Sequence, residues 1–142
     1  MIQGTNGANT VTVSVNAAGN VRVVTGAGPP GTLGPISTFD RIVIKSFGGA
    51  DHLTIDHSIT TPVVILSGDG NDTISLGSGE SLVYAGNQND TINTRDSRAL
   101  VFGEAGDDKI NGGTRASVLI GGAGADKIAG GTRLGRFDRG PS

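Results

Sequence analysis

Residues 67–131 read SGDGNDTISLGSGESLVYAGNQNDTINTRDSRALVFGEAGDDKINGGTRASVLIGGAGADKIAGG, and this stretch decides the fold. An Asp-x-Ile step recurs in it at constant spacing, beginning at Asp72, Asp90, Asp108 and Asp126, which is an 18-residue period. Halfway between these steps lie short apolar segments with the same period, at 81–83, 99–101 and 117–119, and 63–65 precedes the first step. A short fixed period with one strand in each half is typical of a solenoid, whose successive coils stack as parallel strands.

Stacked coils place equivalent side chains about 4.8 Å apart, so periodic apolar residues form ladders. One predicted ladder is Ile74, Ile92, Ile110 and Ile128, and the facing one is Ile65, Val83, Val101 and Leu119. Two aliphatic ladders make a thin core, which suits a chain of 142 residues with 25 glycines and no tryptophan. We therefore expect an all-β fold, a right-handed parallel β-roll or β-solenoid with an 18-residue coil and an N-terminal region of short strands.

Three segments are predicted along the chain. Residues 1–45 hold short strands at 10–15 and 21–24 and a Pro/Gly-rich loop at 25–38, and form a degenerate repeat or a cap. Residues 46–131 form the roll. Residues 132–142 show no repeat, and we expect a tail that is flexible or ordered only by a partner.

Composition argues against several classes of function. The net charge of −2 gives no reason to expect nucleic acid or an anionic membrane as partner, and the absence of cysteine excludes thiolate metal sites. The longest apolar run, 63–66, is far too short to span a bilayer. His52 and His57 each follow an aspartate, but no HExxH or Gly-x-Ser-x-Gly motif accompanies them. We therefore predict that the protein is not an enzyme.

A turn of small residues precedes each aspartate of the repeat: SGDGND (67–72), AGNQND (85–90), GEAGDD (103–108) and GGAGAD (121–126). These segments resemble the nonapeptide GGxGxDxUx of RTX (hemolysin-type) calcium-binding β-rolls, where U is a large aliphatic residue. The segment VLIGGAGADKIAGG (118–131) is similar almost letter for letter, whereas 85–90 departs at two positions and 103–108 at one. The resemblance covers residues 67–131.

The spacing suits calcium, which takes six to eight oxygen ligands at about 2.3–2.6 Å. One turn supplies too few oxygens, but two stacked turns can hold an ion between them. The resemblance implies that the carboxylate ligands are Asp72, Asp90, Asp108 and Asp126. It implies that the shells are completed by main-chain carbonyls of the glycine-rich positions: Gly68, Gly70, Gly86, Gly103, Gly106, Gly121, Gly122 and Gly124.

The competing interpretation is a metal-free solenoid in which aspartate and glycine simply make good turns. Aspartates stacked about 4.8 Å apart would repel one another without a cation, which favours calcium. Two earlier segments look like degenerate copies. Asp51 ends the segment SFGGAD and precedes Asp72 by three positions more than the period, and Asn9 ends GTNGAN with an amide in the aspartate position. We expect Asp51 to join the calcium row, and Asn9 less often.

The alternate turns depart from the family pattern, which normally places a calcium loop at every half-coil. They read GSGES (77–81), TRDSRA (94–99) and GGTRAS (112–117), with serine or alanine where aspartate should stand. One edge of the roll should therefore bind calcium, while the other is held by hydrogen bonds and by Glu80 or Asp96 pairing with arginine. We interpret Arg95, Arg98 and Arg115 as solvated surface rather than as an anion site.

One strand row is apolar on both sides. The residues that alternate with its inward ladder are Val64, Leu82, Leu100, Val118, Leu66, Tyr84, Phe102 and Ile120. Such a face normally packs against something, here the N-terminal strands or a second copy.

The leading functional hypothesis is a calcium-binding module, extracellular or on the cell surface, that calcium folds or rigidifies. A second is a self-assembling filament, surface-layer or matrix subunit joined through the apolar face or the open ends. A third is a fragment of a secreted RTX enzyme.

Overall fold

The computed structural model describes residues 1–26, 29–133 and 135–141. Across these ranges the protein is all-β, and the single helical element is a 3-10 turn at Ile36–Thr38. No helix in this part of the chain is long and apolar enough to cross a membrane.

The first of two sheets, sheet 1, has seven strands, and every neighbouring pair in it is parallel. In spatial order its strands are β1 (Ile2–Gln3), β5 (Ile42–Lys45), β7 (Val63–Asp69), β9 (Glu80–Asn87), β11 (Arg98–Ala105), β13 (Val118–Ala123) and β15 (Arg136–Asp138).

Sheet 2 has eight strands, most of them only three or four residues long. In spatial order they are β14 (Lys127–Ala129), β12 (Lys109–Asn111), β10 (Thr91–Asn93), β8 (Thr73–Ser75), β6 (His52–Ile55), β2 (Thr10–Val15), β3 (Asn20–Thr25) and β4 (Gly31–Pro35). Its pairs are parallel from β14 to β2 and antiparallel from β2 to β4.

The chain alternates between the two sheets, so each coil has one strand in each. Ile92 pairs with Ile74 on one side and Ile110 on the other, and Val101 pairs with Val83 and Leu119, so the register repeats the period of the sequence. The predicted parallel solenoid is confirmed. Both predicted ladders face inward, where seven of their eight members are fully buried and Ile128, in the last complete coil, is 8% exposed.

The N-terminal strands already take part in the solenoid. β1 pairs with β5 and β2 pairs with β6, so residues 2–15 form a first coil. The degenerate segment 4–9 is the turn that connects β1 to β2 in this coil. Residues 16–41 are inserted before the second coil. Their strand β3 pairs with β2 as an antiparallel hairpin, and β4 then pairs with β3.

Part of the predicted Pro/Gly loop is therefore a strand, since Gly31–Pro35 extends sheet 2 as its edge. Proline is tolerated on an edge strand because it leaves no ladder donor missing on the open side. Residues 27–28 of that predicted loop lie outside the described residues.

The two outer faces differ in character. The outer face of sheet 2 carries mainly threonine, lysine and asparagine, as at Thr91, Lys109 and Asn111. The outer face of sheet 1 is apolar, as predicted. The N-terminal strands do not cover it, because β1 adds to an edge of sheet 1 and β2 to β4 add to an edge of sheet 2. On this outer face of sheet 1 the rings of Tyr84 and Phe102 stack with centroids 5.0 Å apart.

The C-terminal residues differ from the expected tail. Arg136–Asp138 form β15, which pairs with β13 in the same register as the preceding coils. Beyond it Gly124 donates a backbone hydrogen bond to the Pro141 carbonyl at 3.1 Å. The start of a further coil is therefore present, although residues 136–141 contain no Asp-x-Ile step that would reveal it.

Candidate metal centre

Six turns stack along the edge where the chain passes from sheet 1 to sheet 2, and we call this the aspartate edge. The turns are 4–9, 46–51, 67–72, 85–90, 103–108 and 121–126, and their residues are numbered one to six. All thirteen residues predicted as metal ligands lie in the last five of these turns, so the fold brings the whole predicted set to one edge.

The position-six aspartates form a continuous hydrogen-bonded row. The backbone N–H of Asp72 donates to Oδ1 of Asp90 at 2.8 Å, and the N–H of Asp90 donates to Oδ1 of Asp108 at 2.8 Å. Asp51 donates to Asp72 and Asp108 to Asp126 in the same way, also at 2.8 Å. Asp51 therefore continues the row despite the three-residue insertion after it.

The second oxygen of each carboxylate has no such partner. Oδ2 is buried and accepts no hydrogen bond from any described residue in Asp51, Asp72, Asp90, Asp108 and Asp126. Asp72, Asp90 and Asp108 are each only 1% exposed. Five buried anionic oxygens in one row are expensive unless something positive meets them.

Position one lies against these oxygens. A side chain on Gly103 would collide with Oδ2 of Asp108 and with the Gly121 carbonyl of the next coil, and a side chain on Gly121 would collide with Oδ2 of Asp126. A carboxylate oxygen and a main-chain carbonyl from the adjacent turn thus approach the same point. Both are hard oxygen donors of the kind that calcium prefers.

Burial changes the ionisation of these carboxyl groups. It raises the pKa of Asp90 to about 8 and that of Asp108 to about 6, and it also raises the pKa of Asp72. The charges of Asp72 and Asp108 add to the effect at Asp90, while the backbone N–H of Asp72 opposes it. Groups in such surroundings favour either a bound proton or a bound cation.

The backbone of the five aspartate turns is left-handed at positions two and four. Gly68 and Gly70 have φ of 102° and 133°, and Gly122 and Gly124 have 117° and 135°. Glycine adopts this conformation without penalty. Three larger residues also adopt this left-handed conformation: Phe47 (74°), Gln88 (78°) and Glu104 (79°). The amino-acid sequence alone does not indicate that the backbone is strained at these positions.

A second row of side chains lies outside the first, at position five. Oδ1 of Asn71 accepts from the N–H of Asn89, Oδ1 of Asn89 from that of Asp107, and Oδ1 of Asp107 from that of Ala125. This row was not predicted, although Asn and Asp recurring with the period of the repeat could have indicated it. It satisfies backbone donors at the surface and leaves the inner aspartates as the unsatisfied groups.

No three His, Asp or Glu side chains within residues 1–26, 29–133 and 135–141 converge on one point as a carboxylate cage. His57 lies beside Asp56, with 3.6 Å between Nδ1 and Oδ1, and its side chain is 84% exposed.

The opposite edge, which we call the arginine edge, is held by hydrogen bonds, as predicted. Ser97 Oγ donates to the Gly79 carbonyl at 2.7 Å, and Thr114 Oγ1 donates to Asp96 Oδ1 at 2.7 Å. Arg98 lies 3.7 Å from Glu80, and both side chains are exposed, so this ion pair contributes little stability.

Comparison with known families agrees with this geometry. The model of the RTX calcium-binding nonapeptide repeat matches four copies, over residues 66–96 and 102–132. The matched residues include the four aspartate turns 67–72, 85–90, 103–108 and 121–126, which are RTX-type nonapeptide repeats. RTX repeats bind Ca²⁺, so calcium binding by the β-roll is implied. No curated protein matches the chain, and no solved structure matches it.

The chemistry of the donors at the aspartate edge fits calcium. Every unsatisfied group at the aspartate edge is an oxygen, and neither thiolate nor imidazole takes part. Carboxylate and carbonyl oxygens select hard divalent cations over zinc or copper.

Proposed function

We propose that the aspartate edge is a row of calcium sites in which Asp51, Asp72, Asp90, Asp108 and Asp126 supply carboxylate ligands between stacked turns, and that calcium drives folding of the roll. The supporting observation is the row of five buried Oδ2 atoms without hydrogen-bond donors. Five aspartate turns enclose four intervals, each bounded by two carboxylates.

The main-chain ligands are proposed from the same turns. Gly103 and Gly121 lie against the carboxylates of Asp108 and Asp126. The carbonyls that complete each shell come from these residues and from Gly68, Gly70, Gly86, Gly106, Gly122 and Gly124. Left-handed backbone at positions two and four directs the turn's carbonyls differently from an extended strand.

Folding depends on calcium because the sites do not exist in the unfolded chain. The binding free energy then contributes directly to folding. Assembling the row without cations requires either protonating buried carboxylates or stacking like charges. Each interior aspartate can contact two ions, so filling of one interval favours filling of the next.

We place the protein outside the cell. Extracellular calcium modules bind with dissociation constants of about 10⁻⁴–10⁻³ M, which outside concentrations fill and cytoplasmic ones do not. A roll of this kind stays unfolded during export and folds where calcium is abundant. Binding and structural roles are typical of RTX repeats on a solenoid, and we propose no catalytic activity.

The test is a calcium titration followed by far-ultraviolet circular dichroism. Strand content should rise cooperatively between micromolar and millimolar calcium. Asp90→Ala should remove at least one bound ion and move the midpoint to higher calcium, because it deletes a ligand shared by two intervals. Asp40→Ala, which removes an aspartate outside the row, is the control. Equal strand content in chelator and in millimolar calcium would refute calcium-dependent folding.

A second proposal, self-association, rests on the apolar outer face of sheet 1. Leu100 and Val118 on it are 37% and 36% exposed. Contiguous apolar patches of this kind usually mark interaction surfaces.

The occupant that fits is a second copy of the chain. The border where the strands start has three arginines and two acids, and so a net positive charge: Arg41, Arg98, Arg136, Asp40 and Glu80. The exposed acids Asp69 and Glu104 lie where the strands end. Two copies placed face to face with antiparallel strands bring the basic border of each onto the acidic border of the other.

Sedimentation velocity in calcium over a range of concentrations tests this association. Leu100→Glu should abolish dimers, whereas Thr91→Glu on the polar face of sheet 2 should leave them intact. If the wild-type chain is a monomer at the highest concentration and both variants sediment as it does, self-association through this face is excluded.

A further inference from the structure

Asn9 occupies position six of the first turn, where the later turns have aspartate. Its side-chain Nδ2 donates to Oδ1 of Asp51 at 2.9 Å and to the Thr5 carbonyl at 3.1 Å. The carbonyls of Gly7 and Ser46 lie around the same nitrogen. The amide orientation is fixed because Oδ1 of Asn9 accepts from the backbone N–H of Thr5 at 3.1 Å.

Nδ2 of Asn9 takes the place that Oδ2 has in the aspartate turns. Nδ2 and Cγ of Asn9 both lie against Gly4, which is position one of the same turn. Nδ2 also lies near the carbonyl of Ser46, which is position one of the next coil. In the turn 103–108, Asp108 Oδ2 and the Gly121 carbonyl of the next coil both lie against position one, Gly103. The oxygens around Asn9 therefore face the N–H groups of its amide. In the turn 103–108 the Oδ2 oxygen of Asp108 and the carbonyl oxygen of Gly121 are left facing the same point, and Oδ2 has no donor among the described residues.

The backbone of the first turn differs in the same sense. The five aspartate turns are left-handed at positions two and four, but in residues 4–9, all of which the structure describes, no residue has positive φ. Carbonyls of this turn are directed at the Asn9 amide, which uses them as hydrogen-bond acceptors.

We propose that the Asn9 side-chain amide closes the N-terminal end of the calcium row in place of a cation, so that the first two coils assemble without metal. This inference rests on the proposed calcium row. An amide supplies two N–H donors and no charge, so it satisfies neighbouring oxygens that a carboxylate could share only through a bound ion. The row therefore begins at Asp51.

The surrounding strands support metal-independent assembly. β2 pairs with β6 on one side and with β3 on the other, so it has no open edge. The backbone N–H of Asn9 also donates to Oδ1 of Asp51, at 2.7 Å. The hairpin and the first two coils thus form a template on which later coils can stack as calcium arrives.

Three substitutions test the proposal. Asn9→Asp exchanges the amide for a carboxylate of the same shape and should raise the number of bound calcium ions by one. Asn6→Asp makes the same change at an exposed site of the same turn and should leave that number unchanged. Asp51→Asn should lower it by one, because it extends the amide closure to the next turn. Native mass spectrometry and equilibrium dialysis give these counts.

Hydrogen exchange without calcium supplies a second measurement. In the wild-type chain the amides of residues 9–13 and 52–55 should be protected while those of 91–93 and 109–111 are not. Asn9→Asp should reduce that protection by about tenfold or more in calcium-free buffer, and circular dichroism in saturating calcium should show that it still folds.

The outcomes separate the two proposals. If the wild-type chain binds no calcium, the proposed function is wrong. If it binds calcium but Asn9→Asp and Asp51→Asn both leave the count unchanged, only the role of Asn9 is wrong. Uniform exchange of all coils in calcium-free buffer would also contradict a metal-independent N-terminal template.

Discussion

At the scale of single residues, left-handed backbone is what most distinguishes the five aspartate turns. Gln88 and Glu104 hold φ of 78° and 79° where other turns have glycine. This conformation costs a residue with a Cβ atom about 1–2 kcal/mol, and it costs glycine almost nothing. The strain is retained because stacking against the coils on both sides fixes the turn.

Gln88→Gly should stabilise the calcium-loaded protein by about 1 kcal/mol, because the strain relieved exceeds the entropy that glycine adds to the unfolded chain. Gln88 is exposed, so the substitution removes no core contact. Gln88→Ala keeps the Cβ atom and should leave the stability nearly unchanged. Urea unfolding in millimolar calcium measures both, and equal effects of Gly and Ala would show that φ is not the cause.

The row of aspartates was predictable because it repeats. Asp72, Asp90, Asp108 and Asp126 are evenly spaced along the chain, and the stacking of coils turns that spacing into a row. The strain at Gln88 was not predictable, because replacing glycine by glutamine in one copy does not disturb the period. The proposed role of the Asn9 amide was not predictable from the sequence either, because it depends on which oxygens surround that amide in the folded protein.

At the scale of strands, the two aliphatic ladders carry the stability of the roll. Each coil contributes one ladder residue from each sheet, and the ladder residues Ile92, Val83 and Val101 are fully buried. The core is one side chain deep on each side, so no second layer can fill a gap.

Ile92→Ala should therefore lower the free energy of unfolding by about 2–5 kcal/mol in saturating calcium, since it leaves a cavity between rigid neighbouring coils. Thr91→Ala, one residue away on the outer face, should change it by less than about 1 kcal/mol. Denaturant unfolding gives both values. A cost for Ile92→Ala as small as that for Thr91→Ala would show that the ladders do not form the core.

Strand prediction succeeded where the period was regular and failed where it was broken. The residues of β4, Gly31–Pro35, are rich in glycine and proline and predict a loop, and only their place on the edge of sheet 2 makes them a strand. β15 was missed because Arg136–Asp138 repeats the register without repeating the residue types. Both strands are imposed by a neighbour, which propensity cannot show.

Across the whole molecule, the ionisation of the aspartate row links calcium, protons and folding. The ordinary pKa of an aspartate is 3.8, and burial raises that of Asp90 to about 8 in the folded protein. Without calcium the folded roll therefore binds protons more tightly than the unfolded chain. Protons stabilise the ion-free roll, and they compete with calcium for the same carboxylates.

The stability of the ion-free protein should consequently fall as pH rises. The contribution of Asp90 is fully present below its unfolded pKa of 3.8 and is lost as pH rises through its folded value of about 8, and that of Asp108 is lost by about 6. In saturating calcium the trend should reverse, because deprotonated carboxylates bind the ion better. Thermal unfolding at about pH 5 and about pH 8, in resin-treated calcium-free buffer and in millimolar calcium, measures all four conditions.

Asp90→Asn supplies the control for this pH dependence, since it removes the carboxyl group with the highest pKa of those raised by burial while keeping a side chain of the same shape. Its ion-free form should lose much less stability between about pH 5 and about pH 8 than the wild-type chain does. The calcium-loaded form should also gain less from rising pH, because one ligand of two intervals is gone. An ion-free wild-type protein that is more stable at the higher pH would contradict the assignment, since it would mean that the buried row carries its charge without a cation.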